Sequence, residues 1–323
     1  MMKRRTFALA PLGALALPGV ARAAWPDRPL QMIVPWAPGG GTDAVARQLA
    51  SGLERELGRN VNVVNRTGGG GVVGHTELVN ARPDGYTIAL ATAEVTTYYW
   101  AGTAPWTFER LTPIALVNFD PAAFHVRADS PWRDLNAALA AIREAAPGTF
   151  RASGMPAGAA FHLAFAQLLQ AAGIEPRAVP MIPSQGAAPG FQELAAGGVH
   201  IIPSSLPEGR PLVEAGRVRA IAVLSDERIP AFPNVPTARE QGVAVSGGTW
   251  RGVAAPAGLP ADITARLTEA VAKVAGSDEF RGFLAERGFG HALTPGEGFR
   301  RFLAEQHAAN GQSMAALGLR RRE

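Results

Sequence analysis

The chain of 323 residues contains no cysteine. That excludes disulfides, thiolate metal sites, cysteine nucleophiles and an acylated lipoprotein cysteine together. Aromatic residues make up only 7% and charged residues only 18%, against 47% hydrophobic. Beyond residue 23 there is a single lysine, Lys273, which leaves little room for amine catalysis. Asp and Glu are absent from residues 1–23, which carry Lys3, Arg4, Arg5 and Arg22. These four cations account for the whole formal charge of +4, so the rest of the chain is neutral and offers no net field to a phosphate backbone. Nucleic acid is therefore not an expected partner. The length suggests about two domains, because single cores stop growing near ~250–300 residues.

Met1 to Ala23 has a basic start, an apolar stretch from Ala8 to Val20 and Ala21-Arg22-Ala23 at its end. This is the layout of a secretory signal with a small-x-small cleavage site. The stretch is shorter than the ~20 residues that span a membrane, and Pro11, Gly13, Pro18 and Gly19 interrupt it. Arg4-Arg5-Thr6-Phe7 resembles a twin-arginine address, with general secretion the other route. No later segment is apolar enough to span a membrane, and the exported chain is expected to be a soluble monomer of the periplasm.

Strand and helix patterns alternate along the rest of the chain. Leu30–Trp36 reads as a buried strand, the run Ala46, Leu49, Ala50, Leu53 and Leu57 as a helix closed by Gly58, and Val61–Val64 as a second strand. Tyr86–Ala91 is a third strand after the turn residues Pro83-Asp84-Gly85. The grammar restarts after Pro121, with strands at Ala122–Val126, Thr149–Ala152, Ala178–Ile182, Val199–Ile202 and Arg219–Leu224 separated by helices. Amphipathic helices follow at Ala261–Ala275 and Glu297–Ala316. The pattern predicts an α/β chain of two lobes, each a mostly parallel sheet flanked by helices. The chain would cross between lobes near residues 120 and 225. The first lobe would then be discontinuous, residues 24–121 plus 226–323, and the second would be residues 122–225.

Glycine turns at strand-to-helix junctions carry the site expectation. In Gly39-Gly40-Gly41-Thr42-Asp43, residues without Cβ let backbone amides face a ligand, and a helix start adds partial positive charge. Such a nest holds a carboxylate or phosphate without a lysine, or it is an ordinary turn with a Thr/Asp cap. No Gly-Lys-Ser/Thr follows, so it is not a nucleotide P-loop. Ser153, Gly154 and Gly158 repeat the pattern in the second lobe, Ser184 and Gln185 do so again, and Ser204 and Ser205 end a strand at the same expected edge. Parallel sheets bind ligands beyond the carboxyl ends of their strands, where these loops would converge. Gly69-Gly70-Gly71-Val72-Val73-Gly74 matches a dinucleotide fingerprint with Glu94 at the ribose spacing, but the short helix behind it favours a structural turn. The six histidines show no metal-binding spacing, and His162 reads as a packed or capping residue. There is no G-x-S-x-G elbow and no S-x-x-K. A secreted α/β enzyme remains the alternative, either a hydrolase using Ser153 or Ser184 with His162, or an oxidoreductase using Gly69–Gly74.

Trp25-Pro-Asp-Arg-Pro29, Ile33–Asp43, Asn65-Arg66, Pro83–Thr87, Pro183–Pro189, Val235-Pro-Thr237 and Trp250–Pro256 together resemble the solute-binding proteins of tripartite tricarboxylate transporters, the Bug family. The resemblance runs in order along the chain after the leader. It implies a periplasmic-binding-protein-like fold with a hinge, no catalysis and no cofactor. It also implies a carboxylate held between the lobes and delivery to two integral membrane partners. The Gly39–Asp43 loop becomes the first-lobe carboxylate site, and the Ser153–Gly158 loop and Ser184-Gln185 turn the second-lobe contacts. Ser204-Ser205 stands where many members have Asp-Asn. Loss of that acid favours a mono- or dicarboxylate over an ammonium-bearing ligand.

Overall fold

The computed structural model describes residues 25–321, so the leader read over residues 1–23 lies outside the described residues. The first region contains β1 (Leu30–Val34), α1 (Gly41–Leu57), β2 (Val61–Asn65), α2 (Val72–Asn80), β3 (Thr87–Thr92), α3 (Tyr98–Ala101) and β4 (Leu111–Pro121). The second contains β5 (Ala123–Arg127), α4 (Leu135–Glu144), α5 (Ala160–Ala171), α6 (Ala187–Ala196), β6 (Ile202–Ser204), α7 (Leu206–Glu214) and β7 (Val218–Val223). The chain then adds β8 (Gly248–Pro256), α8 (Ala261–Ala275), α9 (Asp278–Arg287), β9 (His291–Pro295) and α10 (Gly296–Ala316).

Local chemistry explains the early elements. β1 is apolar except for the half-buried Gln31 and otherwise wholly buried, as a strand covered on both faces must be. In α1 the residues Val45, Ala46, Leu49, Ala50, Leu53 and Leu57 fall on one buried face, and Gly58 ends the helix at φ 66° with its amide on the Glu54 carbonyl. That face packs with Leu267 and Val271 of α8 and Leu284 of α9 over one side of the large sheet. Leu78 of α2 and Phe299 and Leu303 of α10 cover the other side.

The large sheet has the order β2-β1-β3-β8-β4-β9, and β6-β5-β7 form a smaller one. Only β1 with β2 and β1 with β3 are parallel; β8 runs antiparallel to β3 and β4, and β9 antiparallel to β4. In the small sheet β5 is antiparallel to both neighbours. The expectation of mostly parallel sheets is therefore corrected. β4 carries the chain out of the first region and β8 carries it back, so two strands laid side by side must run in opposite directions. The parallel segments expected at Thr149–Ala152 and Ala178–Ile182 survive only as single bridges, Ala152 to Met181 and Ala152 to Ile201.

The second core gathers Phe124, Leu139, Phe165 and Ile221, and Ala238 and Val243 join it. The stretch between β7 and β8 thus packs with the second region, whereas the sequence reading returned the chain near residue 225. At the crossing, Pro121 pairs with Gly248. A Cβ on Gly248 would lie 2.1 Å from the Asp120 carbonyl oxygen, so backbone meets backbone there with no room for a side chain. Gly248→Ala is expected to cost about 1–3 kcal/mol in urea unfolding, the usual penalty of overpacking. A loss below ~0.5 kcal/mol would mean that the strands separate freely at this point.

Candidate functional site

Helix α1 begins without a side-chain cap. Gly39 has φ 81°, Gly40 is the extended N-cap residue, and no side chain of the loop accepts from the first helical amides. Those amides have no partner within the helix and need an acceptor from outside. Asp43 does not supply it. Its carboxylate turns back to the Gly39 amide at 3.1 Å, to Arg47 at 2.8 Å and to Asn65 at 3.0 Å. Burial pushes its pKa up, but these hydrogen bonds and the Arg47 charge outweigh it and hold the carboxyl below its usual range. Asp43 therefore fixes the loop and does not line the cleft.

Facing this helix start, the second region presents Gly154 at φ 101° and Gly186 at φ 133°, the latter opening α6. A Cβ on Gly190 of α6 would lie 2.4 Å from the Gly154 Cα, which shows how closely that helix seats the loop. The Ala37 amide donates to the Gln185 carbonyl at 3.3 Å across the gap. Between the two sides lies a cleft lined by Trp36, Gly40, Gly41, Thr42, Thr92, Glu94, Gly154, Met155, Phe161, Gly186, Ala188, Glu208, Thr249 and Arg251, among others. It encloses a cavity of about 40 Å³, room for about three water molecules.

Arg251 is the one cation among the lining residues. It is 1% exposed and sits on β8 opposite Asn118 of β4, next to a register shift between Leu116 and Asn118. Its guanidinium pairs with Asp120, donates to Asn118, reaches Thr42 Oγ1 at 2.9 Å and reaches Glu208 Oε1 at 3.0 Å. Burial opposes its charge, but Asp120 and Glu208 outweigh that effect and raise its pKa. The same Glu208 Oε1 accepts the Gly41 amide at 3.1 Å, and Ser204 Oγ donates to Glu208 Oε2. A second carboxylate mirrors this arrangement. Glu94, just after β3, accepts the Ala160 amide at the start of α5 at 3.3 Å and the Thr92 hydroxyl. Burial raises the Glu94 pKa. Each region thus seats an acid on a helix start of the other.

Of the residues expected from sequence, Gly40, Gly41, Thr42 and Gly154 line the cleft. Gly39 borders a neighbouring cavity. Ser153 turns inward to the Ile182 carbonyl at 3.0 Å and Glu193 at 3.2 Å, and Ser184 closes its own turn on the Gly186 carbonyl. Gly158 donates to His162 Nδ1 at 2.8 Å, a capping contact. Ser204 supports Glu208 from beside the cleft, while Ser205 is buried with its hydroxyl unpartnered. Four residues beyond Ser204, Glu208 is the acid that this stretch turns into the cleft. The sequence reading missed Glu208, Thr92, Thr249 and the role of Arg251. A lone charge inside the apolar stretch Trp250–Ala255 was the available signal for Arg251.

The glycine cluster of the dinucleotide alternative is a packing device. A Cβ on Gly70 would lie 2.3 Å from Pro156 of the second region, and His75 closes the turn through the Gly71 carbonyl at 3.0 Å. No group of three His, Asp or Glu residues among the described residues is placed to hold a metal ion. Lys273 lies on the surface, paired with Glu56 at 2.6 Å.

Residues 45–319 match the sequence family described as the tripartite tricarboxylate transporter family receptor. A protein encoded in the tcbD-tcbE intergenic region of Pseudomonas sp. strain P51 is 35% identical over 256 residues, covering 77% of this chain and 74% of its own. Among solved structures, a TctC solute-binding protein from Polaromonas, without ligand, is 35% identical with a TM-score of 0.65, covering 90% of this chain and 99% of its own. R. palustris Rpa4515 with adipate is 28% identical with a TM-score of 0.84, covering 91% and 98%. The ligand-free protein is nearer in sequence than the adipate complex yet superposes less well.

Proposed function

The chain belongs to the tripartite tricarboxylate transporter receptor family, and from that premise we propose that it captures a small mono- or dicarboxylate in the cleft between its two lobes. It is a solute-binding receptor and not an enzyme. Receptors of this family bind small carboxylates and serve membrane transporter components from outside the cytoplasm. The finer reading is a monomer, exported by a twin-arginine-like or general secretory signal, that presents its ligand to two integral membrane subunits. Lobe crossings fall at Pro121–Ala123 and at Ser246–Gly248, a division supported by the strand pairing and by Ala238 and Val243 in the second core.

The observation that carries this reading is the start of α1, which no side chain of its own loop caps and whose Gly41 amide already takes a carboxylate, that of Glu208, beside Arg251 and opposite the second-lobe glycine loops. Amide donors and a guanidinium recognise a carboxylate with charge-assisted hydrogen bonds, each contributing roughly 1.5–3 kcal/mol. Contacts from both lobes make the ligand bind the closed form more tightly than the open one, which is what shifts a hinge. The better superposition on the adipate complex than on the ligand-free relative supports a closed arrangement.

Gly41→Ala tests the site. Gly41 has no positive φ, and alanine suits a helix, but the new Cβ would lie 2.6 Å from Glu208 Oε1 and 2.7 Å from Arg251 Nη2. The methyl group therefore fills the carboxylate seat without unfolding the helix. Calorimetry against a panel of short dicarboxylates, after mass spectrometry of small molecules released from gently purified protein, should show affinity for the best ligand falling about a hundredfold. Unchanged affinity in a folded variant would move the ligand elsewhere.

A further inference from the structure

We propose that Glu208 is a built-in stand-in for the ligand: from the second lobe its carboxylate occupies the anion seat of the first lobe, holds the ligand-free cleft shut, and is displaced when a ligand carboxylate binds. The inference rests on the carboxylate-receptor reading above.

Glu208 lies near the start of α7, 167 residues from Gly41 in sequence, and the two meet only because the lobes are closed. Its carboxylate takes the Gly41 amide at 3.1 Å, Arg251 at 3.0 Å and the Ser204 hydroxyl. Two of these donors, the amide and the guanidinium, belong to the first lobe and suit any carboxylate. An ammonium group would bring further donors to a place already supplied with them, and would leave the amide seat filled. A ligand carboxylate exchanges like for like.

The volumes agree with displacement. With Glu208 seated, the cleft encloses about 40 Å³, too little for the body of a dicarboxylate. On the far side of the Gly40–Gly41 turn lies a second cavity of about 320 Å³, which Glu208 also borders. Arg210 and Arg287 line that second cavity together with Glu214 and Glu286, and Arg210 is paired with Glu214 at 2.7 Å, so a displaced Glu208 side chain enters a polar space of balanced charge. Its departure opens the small cleft into the larger space.

The test uses the full exported chain with Glu208→Ala, and with Glu208→Gln as a variant of native shape. In small-angle scattering without ligand, wild type should be compact and Glu208→Ala expanded, with Glu208→Gln between them. In calorimetry with adipate as probe, both variants should bind about tenfold more tightly than wild type. An unchanged ligand-free scattering profile in both variants overturns the latch whatever binds. Expansion with weaker adipate binding overturns displacement, because Glu208 would then hold the ligand. Expansion with no binding of adipate or any other dicarboxylate to any of the three proteins upholds the latch and refutes the carboxylate reading instead.

Discussion

Arg251→Met is expected to destabilise the protein by about 3–5 kcal/mol in urea unfolding, the cost of leaving buried acids without their counter-ion. Asp120 is 1% exposed and Glu208 lies at the lobe interface, and both pair with this one guanidinium. Asp120 keeps the Gly290 amide at 2.8 Å and the Asn118 side-chain amide at 2.9 Å, which limits the damage without removing it. The comparison that makes the expectation specific is a surface pair. Arg55 and Glu279 are each more than half exposed, and Arg55→Met should cost at most about 1 kcal/mol. Arg251→Lys should fall between wild type and Arg251→Met, because an ammonium keeps the charge but loses the planar fork that reaches Thr42, Asp120 and Glu208 together. Adding Asp120→Asn to Arg251→Met should restore part of the loss. Equal costs for the Arg251 and Arg55 substitutions would show that the buried network contributes nothing.

Acidification from pH 7 to pH 5 should cost a comparable or larger amount. Burial lowers His75, His125 and His162 to about 4 from an ordinary value of 6.5. The unfolded chain takes up protons near pH 6.5, while the folded chain refuses them until about pH 4. Between those values the unfolded state binds more protons, so stability falls as pH falls. Each histidine then contributes roughly 2 kcal/mol of loss by pH 5, and the three together roughly 5 kcal/mol or more. Glu94 works the other way. Burial raises its pKa, so its proton stabilises the fold as pH drops and offsets part of the loss. Unfolding curves at the two pH values measure the sum. His75→Gln should flatten the pH dependence by about one histidine's share, and a pH-independent midpoint would show that these rings are hydrated.

How far the sequence spoke depended on distance along the chain. α1, β1 and α8 were readable because a helical face or an apolar run is written within a dozen neighbouring residues. The glycines at positions 40, 41 and 154 were readable for the same reason, since a tight turn before a helix is local chemistry. α9 was not, because its polar sequence buries only Phe280 and Leu284. The two short parallel segments around Ala152 and Met181 had the right direction but too few ladder bonds to become strands. The acids of the cleft were illegible. Glu208 meets Gly41, and Arg251 meets Thr42 across 209 residues, and no local period records such pairs. Glu94 was visible only as a ribose-binding residue. Its actual position, seated on the start of α5, depends on how the lobes meet.

The last helix bears on how the receptor moves. Phe299 and Leu303 anchor α10 in the first core, but Met314 and Leu317 pack with Leu163 and Ala166 of α5 in the second lobe. Arg177 reaches the Gly318 carbonyl at 2.9 Å on the same side. This tail is a third tether beside the two crossing strands. Exposing its apolar patch would cost free energy in proportion to the area parted, so the cheapest swing keeps that patch nearly stationary. A rotation axis beside the C-terminal tail is therefore the expected one, with the jaws gaping most on the side away from it.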